Sequence, residues 1–506
     1  METGEKKENS SKSKSNSKTQ SFSSANSHKT TTKSASRTRS KTRKAATKIQ
    51  RFFKRTETPR KIAFLKAVCS DSGECVMFGK EIKKIKRVFN DFKLEHTDSL
   101  KMRRLGTVSQ NGFVVELPFT RSSYTAYGVL KSSATEEADN LVYEAFVGIF
   151  INKLTALYPC FLETYASYFY KDKTIYSKLK EGSSVNKDEL VKGLTENKPL
   201  SYDMILKHDF LKQSCYESQY FSLLIQHIKG ATSIQDQMVS LKNDKDFFTV
   251  HLITYLFQVY CPLSIMANVF THYDLHTNNV LIYTPSECNH NDTISYSSSN
   301  KYIRMVYHYA DGTDVEFNTF GIAKIIDYGK CYMNDTSAKI TSKKFYHELC
   351  KASPPHSTCG YDYGYSGLEE EHPYGSYHYI CSQKRNMSHD MRLVNIILNT
   401  RGKWSGENST PLRQLMTNMF YKDKYALENG SLDRGFGTPE VSSESYFNPG
   451  DPIQNVKDMH SALKYIIKNE PYFALENERI FQGKTKIGEI HVWVDSDRKM
   501  EYRPTV

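Results

Sequence analysis

From Leu252 to Phe270 the chain runs 19 residues without a charged side chain. A polar loop of fixed spacing follows at once, His272-Tyr273-Asp274-Leu275-His276-Thr277-Asn278-Asn279, and then the apolar run Val280-Leu281-Ile282. A stretch of that length approaches what a bilayer span needs. Gln258, Pro262, Ser264 and Asn268 interrupt it, however, and no basic clusters flank it. The reading is therefore a buried core helix, with no transmembrane segment. Helix, loop and buried strand in direct succession require a sizeable core, which 506 residues can supply.

The charge is distributed unevenly. Residues 1–60 hold 17 Lys or Arg against 4 Glu, which accounts for the whole net charge of +13. Residues 1–45 are rich in Ser, Thr and Lys with almost no apolar groups, so burial cannot offset the entropy of ordering them. This tail is read as disordered and as suited to nucleic acid or another anionic surface. A solvated linker that is itself phosphorylated is the alternative. None of the ten cysteines is spaced as CxxC, and no His pair completes a zinc site. With no apolar leader segment, they read as reduced thiols in a cytoplasmic protein.

Four regions follow: the tail 1–60, a helical extension 61–100, a β-rich part 101–228 and a helical part 229–506. In the β-rich part, 112–117 and 126–131 read as strands, 135–154 as a helix and 160–165 as extended. Residues 166–217 are polar and read as an irregular insertion. Tyr220 to Ile228 is a strongly apolar strand. In the last region, 285–320 is read as an insertion. A hairpin over 302–326 turns at Asp311-Gly312, and a second hairpin closes the chain over 489–502. The fold class is α+β.

The chemistry sits in two segments. Asp274 and Asn279 stand in H-x-D-x-x-x-x-N spacing, and downstream Ile325-Ile326-Asp327-Tyr328-Gly329 is a strand ending in Asp-aromatic-Gly. These segments resemble the catalytic loop and the metal-binding D-F-G of the protein-kinase superfamily. Upstream, in the expected order, Leu105 to Val114 resembles the nucleotide-covering loop, with Gly106, Gly112 and Val114 as its marks. Lys131 resembles the strand lysine that meets the α- and β-phosphates, and Glu144, in the following helix, its partner. Gln226, His227 and Ile228 resemble the hinge against which adenine packs. Asp390 resembles the helix aspartate that braces the catalytic loop, a helix N-cap being the plain alternative.

The resemblance implies a bilobal fold, with a small β-rich N-lobe carrying one helix and a larger helical C-lobe. It implies ATP and Mg²⁺ as cofactors and a hydroxyl-bearing acceptor. Asp274 would orient and deprotonate that hydroxyl, Asn279 and Asp327 would hold the metal, and His272 would brace the loop. Tyr273 stands where the family has an arginine that receives a phosphorylated activation loop. His276 stands where protein serine/threonine kinases place a lysine, so Asp-Leu-His also resembles the loop of aminoglycoside and choline kinases. The leading expectation is transfer to Ser/Thr of a protein. The alternatives are a small-molecule kinase and a nucleotide-binding pseudokinase. The abundant Asn, Lys and Tyr and the insertions resemble kinase-like proteins of large DNA viruses, which would place the protein in host cytoplasm or virion.

Overall fold

The computed structural model describes residues 45–48, 69, 75, 79–98, 102–106, 112–134, 140–195, 200–203, 218–284, 300–346, 365–366, 378–379, 382–383, 385–401, 419 and 452–505. The chain divides into two units, Met1–Arg60 and Lys61–Val506. In the first, Ala45–Lys48 is helical, and the rest of the predicted tail lies outside the described residues.

Of the helical extension expected over 61–100, the described residues hold helix α1 (Ile82–Val88), with a 3-10 turn before it and two after it. Strands β1 (Arg103–Leu105), β2 (Phe113–Arg121) and β3 (Tyr124–Ser132) follow. Ser122, with φ of 57°, turns the β2–β3 hairpin in two residues, so Arg121 pairs with Tyr124. Helix α2 (Asn140–Leu154) leads to β4 (Thr164–Phe169), α3 (Lys173–Glu181), α4 (Lys187–Gly193) and β5 (Phe221–His227). The five strands form one antiparallel sheet in the order β1-β2-β3-β5-β4.

Alternation along β3 gives this sheet two different faces. Ala126 and Leu130 point into a core shared with Ile85, Phe89 and Phe92 of the N-terminal segment. Val129 and Lys131 occupy the half-buried face, on the α2 side. Helix α2 lies close to β4: a Cβ on Gly148 would stand 2.6 Å from Thr164 Oγ1.

The expectation of an irregular 166–217 is corrected for 166–195, while 196–199 and 204–217 lie outside the described residues. Thr164–Phe169 is a full sheet strand, and Asn186 caps α4 in a reciprocal pair with Glu189. β4 is buried on both faces except at Phe169, so it lacks the alternation by which a strand is recognised.

Next come β6 (Thr232–Ser233), α5 (Ile234–Ser240) and a π-helical turn (Phe247–His251) that runs into α6 (Leu252–Ile265). The span Phe247–Ile265 has mean hydropathy 1.3 and is 94% buried inside the protein, which makes it a core helix. β7 (Phe270–Thr271), β8 (Val280–Tyr283), β9 (Lys301–His308), β10 (Asp314–Thr319), β11 (Ile322–Ile325), β12 (Tyr332–Asp335), β13 (Ile340–Thr341) and α7 (Ser342–Tyr346) follow. β8 and β11 pair antiparallel, bringing Val280 opposite Ile325. That register sets the polar loop beside the end of β11.

β14 (Tyr365–Ser366) pairs with β15 (His378–Tyr379), and α8 (Arg392–Arg401), α9 (Val456–Asn469), α10 (Pro471–Phe481), β16 (Thr485–Trp493) and β17 (Glu501–Pro504) complete the order. The two predicted hairpins are not separate. β16 runs parallel to β9, giving a four-stranded sheet β10-β9-β16-β17 whose inner face buries Met305, Tyr307, Ile490 and Val492. α9 packs its apolar side (Met459, Leu463, Ile466) into the same core as α6. Helices and largely antiparallel sheets do not alternate along the chain, and the fold is α+β.

One chemical expectation is overturned. Cys69 and Cys75 form a disulfide, against the expectation of reduced thiols throughout. An antiparallel bridge sets their Cα atoms 4.2 Å apart, a contact that sequence spacing does not reveal. Cys160, Cys261 and Cys331 are free and buried.

Candidate active site

Lys131 occupies the penultimate position of β3, and its Nζ lies 2.6 Å from Glu144 Oε2 and 3.0 Å from Asp327 Oδ1. Three elements meet on this one ammonium: the sheet, helix α2 and the segment after β11. Burial disfavours the charge on Lys131, but Asp327 and Glu144 more than offset it and raise its pKa. Burial pushes Glu144 up while the Lys131 charge pulls it back. The same lysine holds Asp327 below the usual carboxylate range. The Asp327 side chain keeps 42% of its surface open. Glu136 and Glu137, the sequence rivals of Glu144, lie outside the described residues.

The backbone is strained at both halves of the site. Tyr273 and Asp327 have φ of 62° and 68°, a region that costs a non-glycine residue about 1–2 kcal/mol. Asp327 sits there as the chain turns out of β11, and the buried Tyr328 ring anchors the turn. Tyr328 Oη donates to Ile325 O at 2.8 Å and accepts the Leu162 amide at 3.2 Å. His272 is fully buried, and burial lowers its pKa to about 4, so the ring is neutral. The Asp274 amide donates to its Nδ1 at 3.3 Å, which leaves Nε2–H to donate to Ile326 O at 3.1 Å. The imidazole thus ties the polar loop to the segment carrying Asp327.

Asp274 is the most heavily partnered group of the loop. Oδ1 lies 3.0 Å from an Arg392 guanidinium nitrogen and 3.8 Å from His276 Nε2, and Oδ2 lies 3.1 Å from Lys330 Nζ. Burial would raise this carboxyl, but Lys330, Arg392 and His276 hold it well below the usual range. Asn279 donates Nδ2 to Asp274 O at 2.9 Å, leaving its amide oxygen as an acceptor. The Ile326 amide reaches Asn279 O at 3.0 Å, so Asn279 is one residue from Asp327 across the ladder.

A hard cation suits these two oxygen donors, with phosphate oxygens and water completing its shell. Among the described residues no group of three or more His, Cys, Asp or Glu side chains surrounds a common metal position. The Asn279/Asp327 pair would therefore depend on a phosphate ligand.

The nucleotide-side residues are placed more loosely. Gly106 follows β1 with φ of 62°. Residues 107–111 lie outside the description. At Gly112 the requirement is close approach, since a Cβ there would stand 2.3 Å from Ser132 O. Val114 pairs with Lys131 across the β2–β3 ladder. For Gln226 the expectation narrows. Its amide donates to Glu163 O at 2.8 Å and its Oε1 accepts the Glu163 amide at 3.3 Å, so its backbone donor is committed. His227 lies 3.0 Å from Glu116, and Ile228 is buried beyond the strand end. Sequence reasoning missed Lys330 and Arg392. The only signal was a cation next to Asp-Tyr-Gly and another two residues after Asp390.

No protein-family model matches the chain, and no curated protein matches it. Among solved structures, the crystal structure of a kinase domain from Plasmodium matches at 11% identity with a TM-score of 0.24. The match covers 49% of this chain and 57% of that one, so the chain spans little more than half of that domain. A superposition this loose bears no weight, and the functional reading stands on the residues themselves.

Proposed function

We propose that this chain is an ATP-dependent phosphotransferase of bilobal, protein-kinase-like build that moves the γ-phosphate to a hydroxyl, with Ser/Thr of a protein as the leading acceptor. The observation that carries this reading is Lys131 bridging Glu144 and Asp327 at 2.6 and 3.0 Å. A half-buried lysine shared by two carboxylates is a cation held at a fixed position, ready for phosphate oxygens.

In this reading Lys131 meets the α- and β-phosphates and Glu144 fixes its direction. Asn279 and Asp327 would hold Mg²⁺, which would neutralise charge on the phosphate oxygens. Asp274, ionised throughout the working pH range, orients the acceptor hydroxyl and receives its proton late. The bond from acceptor oxygen to γ-phosphorus forms as the bond to the β,γ-bridging oxygen breaks, and ADP leaves. We also propose that residues 1–60 act as a cationic arm for polyanions.

The test is incubation with Mg²⁺ and γ-labelled ATP, with and without casein, beside Asp327→Ala and Asp274→Asn. Label transfer by the wild type alone supports the phosphotransferase, and label on Ser/Thr favours the protein acceptor. Transfer to casein-free small hydroxyl compounds instead would favour the small-molecule kinase. A Mg²⁺-dependent thermal shift without transfer favours the pseudokinase. Neither shift nor transfer would remove the ATP-site reading.

A further inference from the structure

We infer that Lys330, directly after Asp327-Tyr328-Gly329, is the cation that contacts the transferring phosphoryl group, a task the polar loop cannot perform from position 276. The inference rests on the phosphotransferase reading above.

Three observations lead to it. First, a charge is missing. His276 stands 3.8 Å from Asp274 Oδ1 and supplies an imidazole there rather than a fixed ammonium. Lys131 is taken up on the other side by Glu144 and Asp327.

Second, Lys330 contacts one functional carboxylate and closely follows the other in sequence. Its Nζ is 3.1 Å from Asp274 Oδ2, and it follows Asp327 by three residues in the chain. A phosphoryl group passing from a nucleotide on Asp327 to a hydroxyl on Asp274 must cross the ground between them.

Third, Lys330 is the partner of Asp274 that can move. Arg392 is fixed at the start of α8 with 13% of its side chain open, whereas Lys330 keeps 25% open on a flexible stem. Its backbone is held meanwhile, since Ser382 Oγ donates to Lys330 O at 2.5 Å. With both oxygens of Asp274 taken by cations, an entering hydroxyl must displace one of them. The released Lys330 ammonium then faces the three equatorial oxygens of the moving phosphoryl, whose negative charge it stabilises.

Full-length wild type, Lys330→Met and Lys330→Arg are compared for γ-phosphate release and transfer to casein between pH 6 and 9, with MgATP affinity measured by titration. The expected result is a kcat for Lys330→Met lower by roughly 10²–10³-fold at every pH, nucleotide affinity within about threefold of wild type, and at least tenfold recovery in Lys330→Arg. If Lys330 only tunes Asp274, the methionine variant shifts the acidic limb upward and regains its rate at high pH, which overturns the inference. A kcat within about threefold of wild type overturns it as well, while leaving the phosphotransferase reading intact. A wild type that turns over no ATP removes that reading and this inference with it. Equal melting temperatures for the arginine variant and wild type show that the fold is preserved.

Discussion

Asp390 holds Tyr273 in its left-handed backbone: Oδ1 accepts the Tyr273 amide at 2.9 Å while Oδ2 accepts the His272 amide at 2.7 Å. Asp390 thereby serves as a brace across 117 residues rather than as the cap of its own helix. Its replacement by Ala leaves two buried amides without acceptors, at a cost of about 2–5 kcal/mol. Asp390→Asn presents an NH₂ to one of those donors and is expected to lose both stability and phosphoryl transfer. Urea unfolding and label transfer measured together check this, and an Asn variant with wild-type values in both would refute it.

Lys131→Met removes the cation on which Glu144 and Asp327 converge. Its kcat/KM for phosphoryl transfer is expected to fall by roughly 10²–10³-fold. Glu144→Gln keeps the shape but loses the charge pairing, so a smaller loss is expected, carried mainly by kcat. Steady-state kinetics at saturating acceptor separates the two effects, and equal activity in all three proteins would be incompatible with the proposed site.

Three buried histidines make the fold acid-sensitive. Burial lowers the pKa of His251 and His460 to about 3 and that of His272 to about 4, against an unfolded value near 6.5. Between these values the unfolded chain binds the extra protons. The stability they contribute is therefore present above pH 6.5 and is lost as pH falls toward 4. The melting temperature should drop between pH 7 and 5, and less steeply in His460→Gln. That residue sits between Ser264 and Tyr309, at 3.0 and 2.8 Å, where a charged ring could no longer accept from the tyrosine. An unchanged slope in the variant would assign the acid sensitivity to carboxylates.

The tail carries the whole excess charge, so retention of a duplex DNA probe should weaken linearly in log salt. Deleting residues 1–60 should abolish retention while leaving ATP-dependent label transfer within about twofold. Retention that survives the deletion would relocate the polyanion contact to Lys61–Val506.

Much of the framework was legible because its periodicities are local. β2, β3 and β5 alternate or run apolar between turns, α2 and α6 bury long stretches, and the Asp311-Gly312 turn marks its hairpin. What escaped depends on distance in sequence. β4 shows no alternation because both its faces are buried. Lys330 and Arg392 gain meaning only where they meet Asp274, 118 residues before the arginine. The disulfide depends on a bridge that closes within the extension. Residue types on the polar loop were readable, but the partners that set their protonation were not.

The parallel ladder between β9 and β16 also bears on how the protein comes into being. Lys301 pairs with Thr485, so the edge of the β9–β10 hairpin leaves the ribosome well before the strand that covers it. At ordinary synthesis rates that interval is roughly ten to forty seconds. Throughout it a ribbon carrying Ile303, Met305 and Tyr307 remains open to any other strand nearby, including the same segment of a neighbouring nascent chain. Fidelity of assembly therefore depends on the codons for Thr485–Trp493, and a chain that lacked them would keep that adhesive edge.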